Sequence, residues 1–255
     1  MKWLGIHGAS RSGKDTAADY ILKLYGGEKV ALADPMKHFC RDVFGFTEAQ
    51  LWGPSQNRNA PDSRYMAPLR AATMAVVRVR FQEQAPAWIL SVLPHFTTTQ
   101  RAAAGQALGV WFEDCLAQEG LTPRYTLQTL GTEWGRAQDP NIWLKYADKD
   151  ATMREIAGYC LIPDCRFLNE GLFLHEKNAL LIEVLRPGFD GEDAMAAGVA
   201  AHPSEMERIR HKDEFRKYIT HTINNDDTLE TFYKRIQAVI EEGPRRVKEN
   251  GVSRT

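Results

Sequence analysis

The chain has 255 residues, 44% of them hydrophobic, and a formal net charge of −1. That suffices for one domain with a sizeable core and an insertion, and it leaves no bulk field to draw the protein onto nucleic acid or a membrane. No apolar run approaches the roughly 18 residues of a membrane span, and Met1-Lys2 leads straight into a strand-like segment rather than a signal peptide, so a cytoplasmic protein is expected. Cys40, Cys115, Cys160 and Cys165 form no C-x-x-C pair and have no matching histidines, so they read as reduced structural residues rather than metal ligands.

Residues 3–7 (WLGIH) are short and mostly apolar and run into Gly8, as a buried parallel strand would. Over 14–24 the apolar spacing is helical, and Gly26-Gly27 stops it. Residues 30–33 (VALA) read as a second strand. Pro35 then opens a helix to about residue 44, a first-turn position where proline is tolerated. The segment 53–124 breaks this rhythm. It is helix-rich and punctuated by Pro61, Pro68, Pro86, Pro94 and Pro123, and it reads as a helical arm inserted in a single domain, residues 1–255. Strands resume at 159–162, 180–185 and 218–223, the last followed by Asn224-Asn225-Asp226 and a helix over 229–240. After Gly243 the tail is polar and basic and is expected to fray. The alternation implies an α/β fold, a five-stranded parallel sheet flanked by helices.

The turn after the first strand spells IHGASRSGKDT, residues 6–16. It meets the phosphate-loop pattern G-x-x-x-x-G-K up to Lys14, with a strand before it and a helix after it. Gly8, Ser12 and Gly13 let backbone N–H groups face a phosphate, and the helix N-terminus adds partial positive charge. Lys14 brings an ammonium to the terminal phosphates, and Arg11 is placed to reach a phosphate in transfer. The competing reading is a tight strand–helix turn. Where the pattern asks for Ser or Thr after the lysine the chain has Asp15, with Thr16 one place later. In the common loop that hydroxyl ligates Mg²⁺. Direct ligation by Thr16 is therefore in question, and Asp15 either holds a metal-bound water or caps the helix.

A second constellation is LIPDCRFLNE, residues 161–170. Asp164 ends an apolar strand, and ligands of open α/β sheets gather at the carboxyl ends of strands. Asp164 can orient Mg²⁺ through water and Arg166 can clamp phosphate. The bland alternative is a strand-end ion pair. Asn169 and Glu170 start the next helix, where a carboxylate is favoured in any case.

The order SGKDT, LADPMK (32–37), LQTLGTE (127–133), WLK (143–145), PDCRFLNE, LRPG and INND resembles the deoxynucleoside monophosphate kinases encoded by bacteriophages. The likeness covers about residues 3–240 and is weakest over 53–124. It implies a P-loop kinase that uses ATP and Mg²⁺ to phosphorylate deoxynucleoside 5′-monophosphates, supplying precursors for phage DNA synthesis in the host cytoplasm. It places Arg11, Gly13, Lys14, Asp15 and Thr16 at the ATP phosphates. Arg124, Gly131, Thr132 and Trp143 fall in the deoxynucleotide site, with Trp143 beside the base. Asp164, Arg166 and Glu170 form the wall between the nucleotides. Lys14, Arg11, Asp164 and Arg166 would carry catalysis, and Thr16, Asp15 and Asp164 would hold the metal through water. Related chains can carry a basic residue where Ser10 stands, so its loss either weakens the acceptor-phosphate grip or is made good by another arginine.

Other candidates rest on position. Asn225, at a strand end, is a neighbour for the adenine. Asp34 either touches the acceptor or caps the helix at Pro35. Among the insert arginines Arg58, Arg64, Arg70, Arg78 and Arg80, Arg70 is taken as a substrate contact, against the ordinary reading of a solvated surface arginine. His202 reads as surface and His7 as structural. A homodimer is compatible with the sequence. Rival acceptors are a small metabolite and a modified base in DNA, the latter disfavoured by the net charge. A nucleotide-binding regulatory protein without turnover is a third reading.

Overall fold

A computed structural model describes residues 1–189 and 212–244. They fall into two compact units, one made of residues 1–31 with the described residues from 148 on and the other of residues 32–147.

The first unit is built on five parallel strands: β1 (Lys2–His7), β2 (Gly27–Lys29), β3 (Tyr159–Ile162), β4 (Leu180–Leu185) and β5 (His221–Asn224), in the spatial order β2-β3-β1-β4-β5. The period of two along β1 explains its two faces. Leu4 and Ile6 join Leu161, Ile182, Val184 and Ile223 in an aliphatic core. Helix α1 (Lys14–Tyr25) adds Ala17, Ala18 and Ile21 to that core. The last described helix, Leu229–Glu242, adds Phe232, Ile236 and Ile240, and its Tyr233 stacks on Tyr20 at 3.8 Å. Trp3, Gly5 and His7 face the other way. Trp3 meets Phe173 edge-on at 5.1 Å, and a Cβ on Gly5 would lie 2.3 Å from Leu174 Cδ1. Only glycine lets helix α9 (Leu168–Glu176) approach the sheet so closely.

Two strand boundaries differ from the sequence expectation. The second strand is Gly27–Lys29, not 30–33. Gly27 lies flat against β3, where a Cβ would sit 2.1 Å from Tyr159 O, and Val30 N closes the pairing on Leu161 O at 2.8 Å. The apolar run at 30–33 marks a packed connection rather than a ladder. The fifth strand starts at His221, because Tyr218 N turns back onto Phe215 O at 3.0 Å. His202, and the tail from residue 245 on, lie outside the described residues.

The second unit is helical. Its main elements are α2 (Asp34–Phe44), α3 (Glu48–Leu51), α4 (Ser55–Asn59), α5 (Arg70–Val92), α6 (Thr98–Ala117), α7 (Pro123–Thr129), a π-helical stretch Leu130–Arg136, and the start of α8 (Ile142–Met153). Its core is aromatic. Phe44 packs on Phe46, Trp111 and Phe112 at 5.6–5.9 Å, and Phe39 stacks on Trp88 at 4.2 Å. Thr97 starts α6 with a reciprocal cap. Gln100 N donates to its hydroxyl at 3.2 Å, and Thr97 N donates to the Gln100 side chain at 2.9 Å. The segment 53–124 is helix-rich as expected, and α2 and the π-helical stretch share its core.

Candidate active site

β1 delivers the chain into the glycine loop. Gly8 has φ 151°, and a Cβ there would lie 2.5 Å from Val184 O of β4, so the loop can cross the strand end only with glycine. Arg11 is in the left-handed region at φ 64°, and Ser12 N closes the turn on Ala9 O at 3.2 Å. Gly13 caps α1 in the left-handed conformation with no side-chain hydrogen bond to the first turn. The first N–H groups of α1 therefore have no capping side chain competing with an anion.

Lys14, buried at 8% exposure, folds back over the loop and donates to Ala9 O at 3.1 Å. Its Nζ lies 3.5 Å from Asp164 Oδ1. An ammonium has three donors, so capacity remains for a phosphate. Asn225, leaving the end of β5, braces the loop: its Nδ2 donates to Ser12 O at 2.8 Å and would touch a Cβ on Gly13 at 2.5 Å. The sequence placed Asn225 by the adenine, and the contact found is with the loop itself. Ser10, Arg11 and Asp15 are exposed and Thr16 is half-buried on the first turn. No carboxylate pairs with Arg11 among the described residues.

β3 delivers Asp164 to the same unit's loop. Its Oδ2 accepts from Arg166 Nε at 2.7 Å and lies 2.6 Å from Nη2. Its Oδ1 is buried with no hydrogen-bond partner. The strand-end ion pair and the loop-facing carboxylate are thus one residue, with Asp164 held between two cations. Cys165 N donates to Ile6 O at 2.8 Å, pinning this segment to β1, and burial pushes its thiol up. His7 is structural, with Nδ1 2.8 Å from Cys165 O and its ring on Phe215 at 4.5 Å. Glu170 is 3% exposed, and its Oε2 accepts from the backbone N–H of Arg166 at 2.6 Å and of Phe167 at 3.1 Å. It organises the turn that carries Arg166.

The remaining candidates lie in the helical unit. Trp143, expected beside the base, is 4% exposed, donates Nε1 to Gly131 O at 3.0 Å and covers Gly135. Its ring serves the core, and Gly131 lies against Met36, whose Sδ would be 2.9 Å from a Cβ there. Thr132 is exposed on the π-helical stretch. Asp34 neither caps α2 nor stands free: Oδ1 accepts from Trp52 Nε1 at 3.2 Å and Lys37 Nζ at 3.4 Å. Arg70 donates to the carbonyls of Leu116 at 2.8 Å and Ala117 at 3.2 Å, closing the C-terminal end of α6. Arg124 donates Nε to Asn59 Oδ1. The half-buried Trp52, beside Lys37 and His38, was missed, as was the bracing role of Asn225. A strand-end asparagine is the one sequence signal that pointed to the latter. A cavity of about 500 Å³ between α5 and α6 is lined mainly by apolar residues, Phe81, Ala85, Ile89, Leu90 and Ala102 among them, with Gln82, Thr98 and Arg101.

A glycine loop joining a buried parallel strand to a helix, with its lysine folded over it at the carboxyl edge of an all-parallel sheet, defines a P-loop nucleotide-binding fold. No family model matches the chain. It is similar along most of its length to three viral proteins. One is the mimivirus “Putative deoxynucleotide monophosphate kinase”, 26% identical over 252 residues, 94% of this chain and 97% of the relative. Another is the deoxynucleoside-5′-monophosphate kinase of Escherichia phage T5, 24% identical over 87% of this chain and 88% of the relative. The third is the deoxynucleotide monophosphate kinase of Enterobacteria phage T4, 24% identical over 93% and 98%. The resemblance first carried by seven short motifs thus extends along nearly the whole chain.

Proposed function

We propose that this protein is a P-loop kinase that transfers the γ-phosphoryl group of ATP to the 5′-phosphate of a deoxynucleoside monophosphate, giving ADP and the deoxynucleoside diphosphate. The observation that carries it is the loop in which Lys14 closes over Ala9 and reaches Asp164, in a chain similar along most of its length to deoxynucleotide monophosphate kinases.

An acceptor oxygen bonds to the γ-phosphorus as the bond to the bridging oxygen breaks, and that electron pair leaves with ADP. The acceptor is already an oxyanion, so no strong general base is needed. Catalysis is positioning and charge neutralisation. In this reading the loop N–H groups and the N-terminus of α1 hold the β-phosphate of ATP. Lys14 neutralises the terminal phosphates, and Arg11 and Arg166 take charge that develops in transfer. Asp164 keeps both Lys14 and Arg166 oriented.

A divalent cation fits the donors present. Asp164 Oδ1 is buried and unsatisfied, and Thr16 brings a hydroxyl to the first turn of α1. These two, with Asp15, would hold Mg²⁺ through water. Bound there, the ion would neutralise phosphate charge. No helix among the described residues is long and apolar enough to cross a membrane. The four free, buried cysteines fit a reducing compartment, which supports a cytoplasmic setting.

The test is ADP release with ATP, Mg²⁺ and each deoxynucleoside monophosphate in turn, modified pyrimidines included. Turnover with one or several is expected. ATP binding with no turnover on any of them overturns the acceptor, and duplex DNA or a metabolite becomes the substrate to try.

A further inference from the structure

Two consecutive peptide planes of the glycine loop are held from outside it, by donors from two neighbouring strand ends. Arg186, in the turn after β4, donates Nη1 to Arg11 O at 3.3 Å. Asn225, in the turn after β5, donates Nδ2 to Ser12 O at 2.8 Å. The two turns are themselves joined, because Asn225 N donates to Leu185 O at 2.7 Å. One side chain of the last described helix grips Asn225 from both sides. Arg235 donates Nη1 to Asn224 O and to Asp226 Oδ1, each at 2.5 Å. Gly13 lets the amide approach, since a Cβ there would lie 2.5 Å from Asn225 Nδ2.

A trans peptide unit is planar, with its C=O and the following N–H pointing to opposite sides. The bond to Arg11 O therefore orients Ser12 N–H, and that group closes the turn on Ala9 O at 3.2 Å. This plane is fixed at both ends, and it follows Arg11, a non-glycine residue held at φ 64°. The next plane is fixed at one end only. Asn225 holds Ser12 O, so Gly13 N–H points away from Asn225, just ahead of the uncapped first turn of α1. No backbone acceptor takes that N–H among the described residues. An amide that is fixed and unspent suits an anion, and fixing it beforehand removes an ordering cost that binding would otherwise meet.

We propose that Asn225 is a positioning residue for the phosphates of the donor nucleotide: it sets the Ser12–Gly13 peptide plane, and Arg235 sets Asn225. This rests on the reading of the glycine loop as the donor-phosphate site and is independent of the acceptor. It assigns Asn225 to the polyphosphate end of the donor and not to the base. It also gives a part in phosphate binding to Arg235, whose recorded hydrogen bonds go to the turn after β5. Asn225 is neutral, so its loss removes no charge from the site, and a phosphate-specific effect cannot come from lost attraction.

Competition against a fluorescent ATP analogue reads the donor site alone. ADP and AMP carry the same adenosine, and only ADP brings a β-phosphate to the loop. In Asn225→Ala the dissociation constant of ADP should rise about three- to tenfold, the worth of one hydrogen bond, with that of AMP within about twofold of wild type. Arg235→Gln leaves Asn225 and the loop in place and should shift the same ratio in the same direction by less. If Asn225→Ala weakens ADP and AMP equally, Asn225 serves the base or the fold, and the proposal is overturned. Wild-type affinities for both nucleotides in Asn225→Ala overturn it too. A wild-type ratio in Arg235→Gln beside a lowered preference for ADP in Asn225→Ala overturns the part given to Arg235. A wild type that holds ADP no better than AMP sinks the donor-phosphate reading, and the proposal with it. The measurement contains no acceptor, so it decides in the same way whether or not a deoxynucleoside monophosphate is turned over.

Discussion

The sheet unit and the helical unit bury different residues and present their polar groups by different means. The sheet core on the α1 face is Leu, Ile, Val and Ala, with Phe232 as a buried ring. The helical core is built from Phe39, Phe44, Phe46, Tyr65, Trp111 and Trp134. A pleated sheet offers a regular surface that branched aliphatics fill, whereas helices crossing at varied angles leave larger irregular gaps that rings fill. The contrast extends to chemistry. Where a strand ends and a helix begins, backbone N–H groups are unused, and in the sheet unit Gly8–Lys14 join such groups to one buried cation. In the helical unit the backbone is largely committed to intrahelical bonds, so polar recognition there would fall to side chains.

Substitutions can break this contrast, and the largest effect belongs to the loop. Lys14→Ala should lower turnover by about 10²-fold or more, with circular dichroism unchanged; unaltered turnover would remove the loop from the mechanism. Gly8→Ala should abolish nucleotide binding and cost stability together, since the new Cβ meets a backbone carbonyl at 2.5 Å and φ is 151°. Gly13→Ala keeps the backbone strain of a φ of 105° but should do less to the fold, because the group its Cβ meets is the Asn225 side chain, which can move, and not a backbone carbonyl. Denaturation midpoints and ATP affinity for the pair separate the two.

In the helical unit the expected losses are of stability. Phe44→Ala removes a fully buried ring from among Phe46, Tyr65, Trp111 and Phe112, and should cost about 3–5 kcal/mol. Amide exchange read along α2, α5 and α6 against β1 and β4 would show whether the two cores open together. Asp62→Asn should cost less, about 1–3 kcal/mol. Burial pushes the Asp62 carboxyl up, but the Arg64 guanidinium and the Gln50 amide outweigh it and hold it below the usual carboxylate range. The folded pKa is depressed, so this stabilisation is present above the unfolded value and lost as pH falls through the folded one. Urea titrations from pH 6 down to pH 3 should therefore show a flatter acid limb in Asp62→Asn than in wild type. Arg78→Ala should be the smallest, with Tm and turnover both unmoved, since its pair with Glu113 is exposed on both sides.

Much of the sheet unit was legible in the sequence. The strands Tyr159–Ile162 and Leu180–Leu185 begin and end where their apolar runs do. The loop and its lysine were legible because their conformation depends on residues within one turn of each other. Asp164 was legible because a strand end is itself a local signal. The sequence did not place the second strand, since Val30–Ala33 shows an apolar run without saying whether it pairs or merely packs. Nor did it show that the Trp143 indole donates to Gly131 O and lies against Gly135, or that Arg70 closes a helix 46 residues away.

What the sequence determined by itself was the alternation of strand and helix, the glycine loop and the cation it presents, because each is fixed by neighbours along the chain. What only the tertiary structure decided was the company each long side chain keeps. Asn225 reaches Ser12 across 213 residues and Arg124 reaches Asn59 across 65. Whether an arginine is neutralised by a carboxylate, tied to a helix end or left with only neutral partners is set by which distant surfaces folding brings together. No periodicity or motif encodes that, because charge pairing depends on distance in space and the chain records only order.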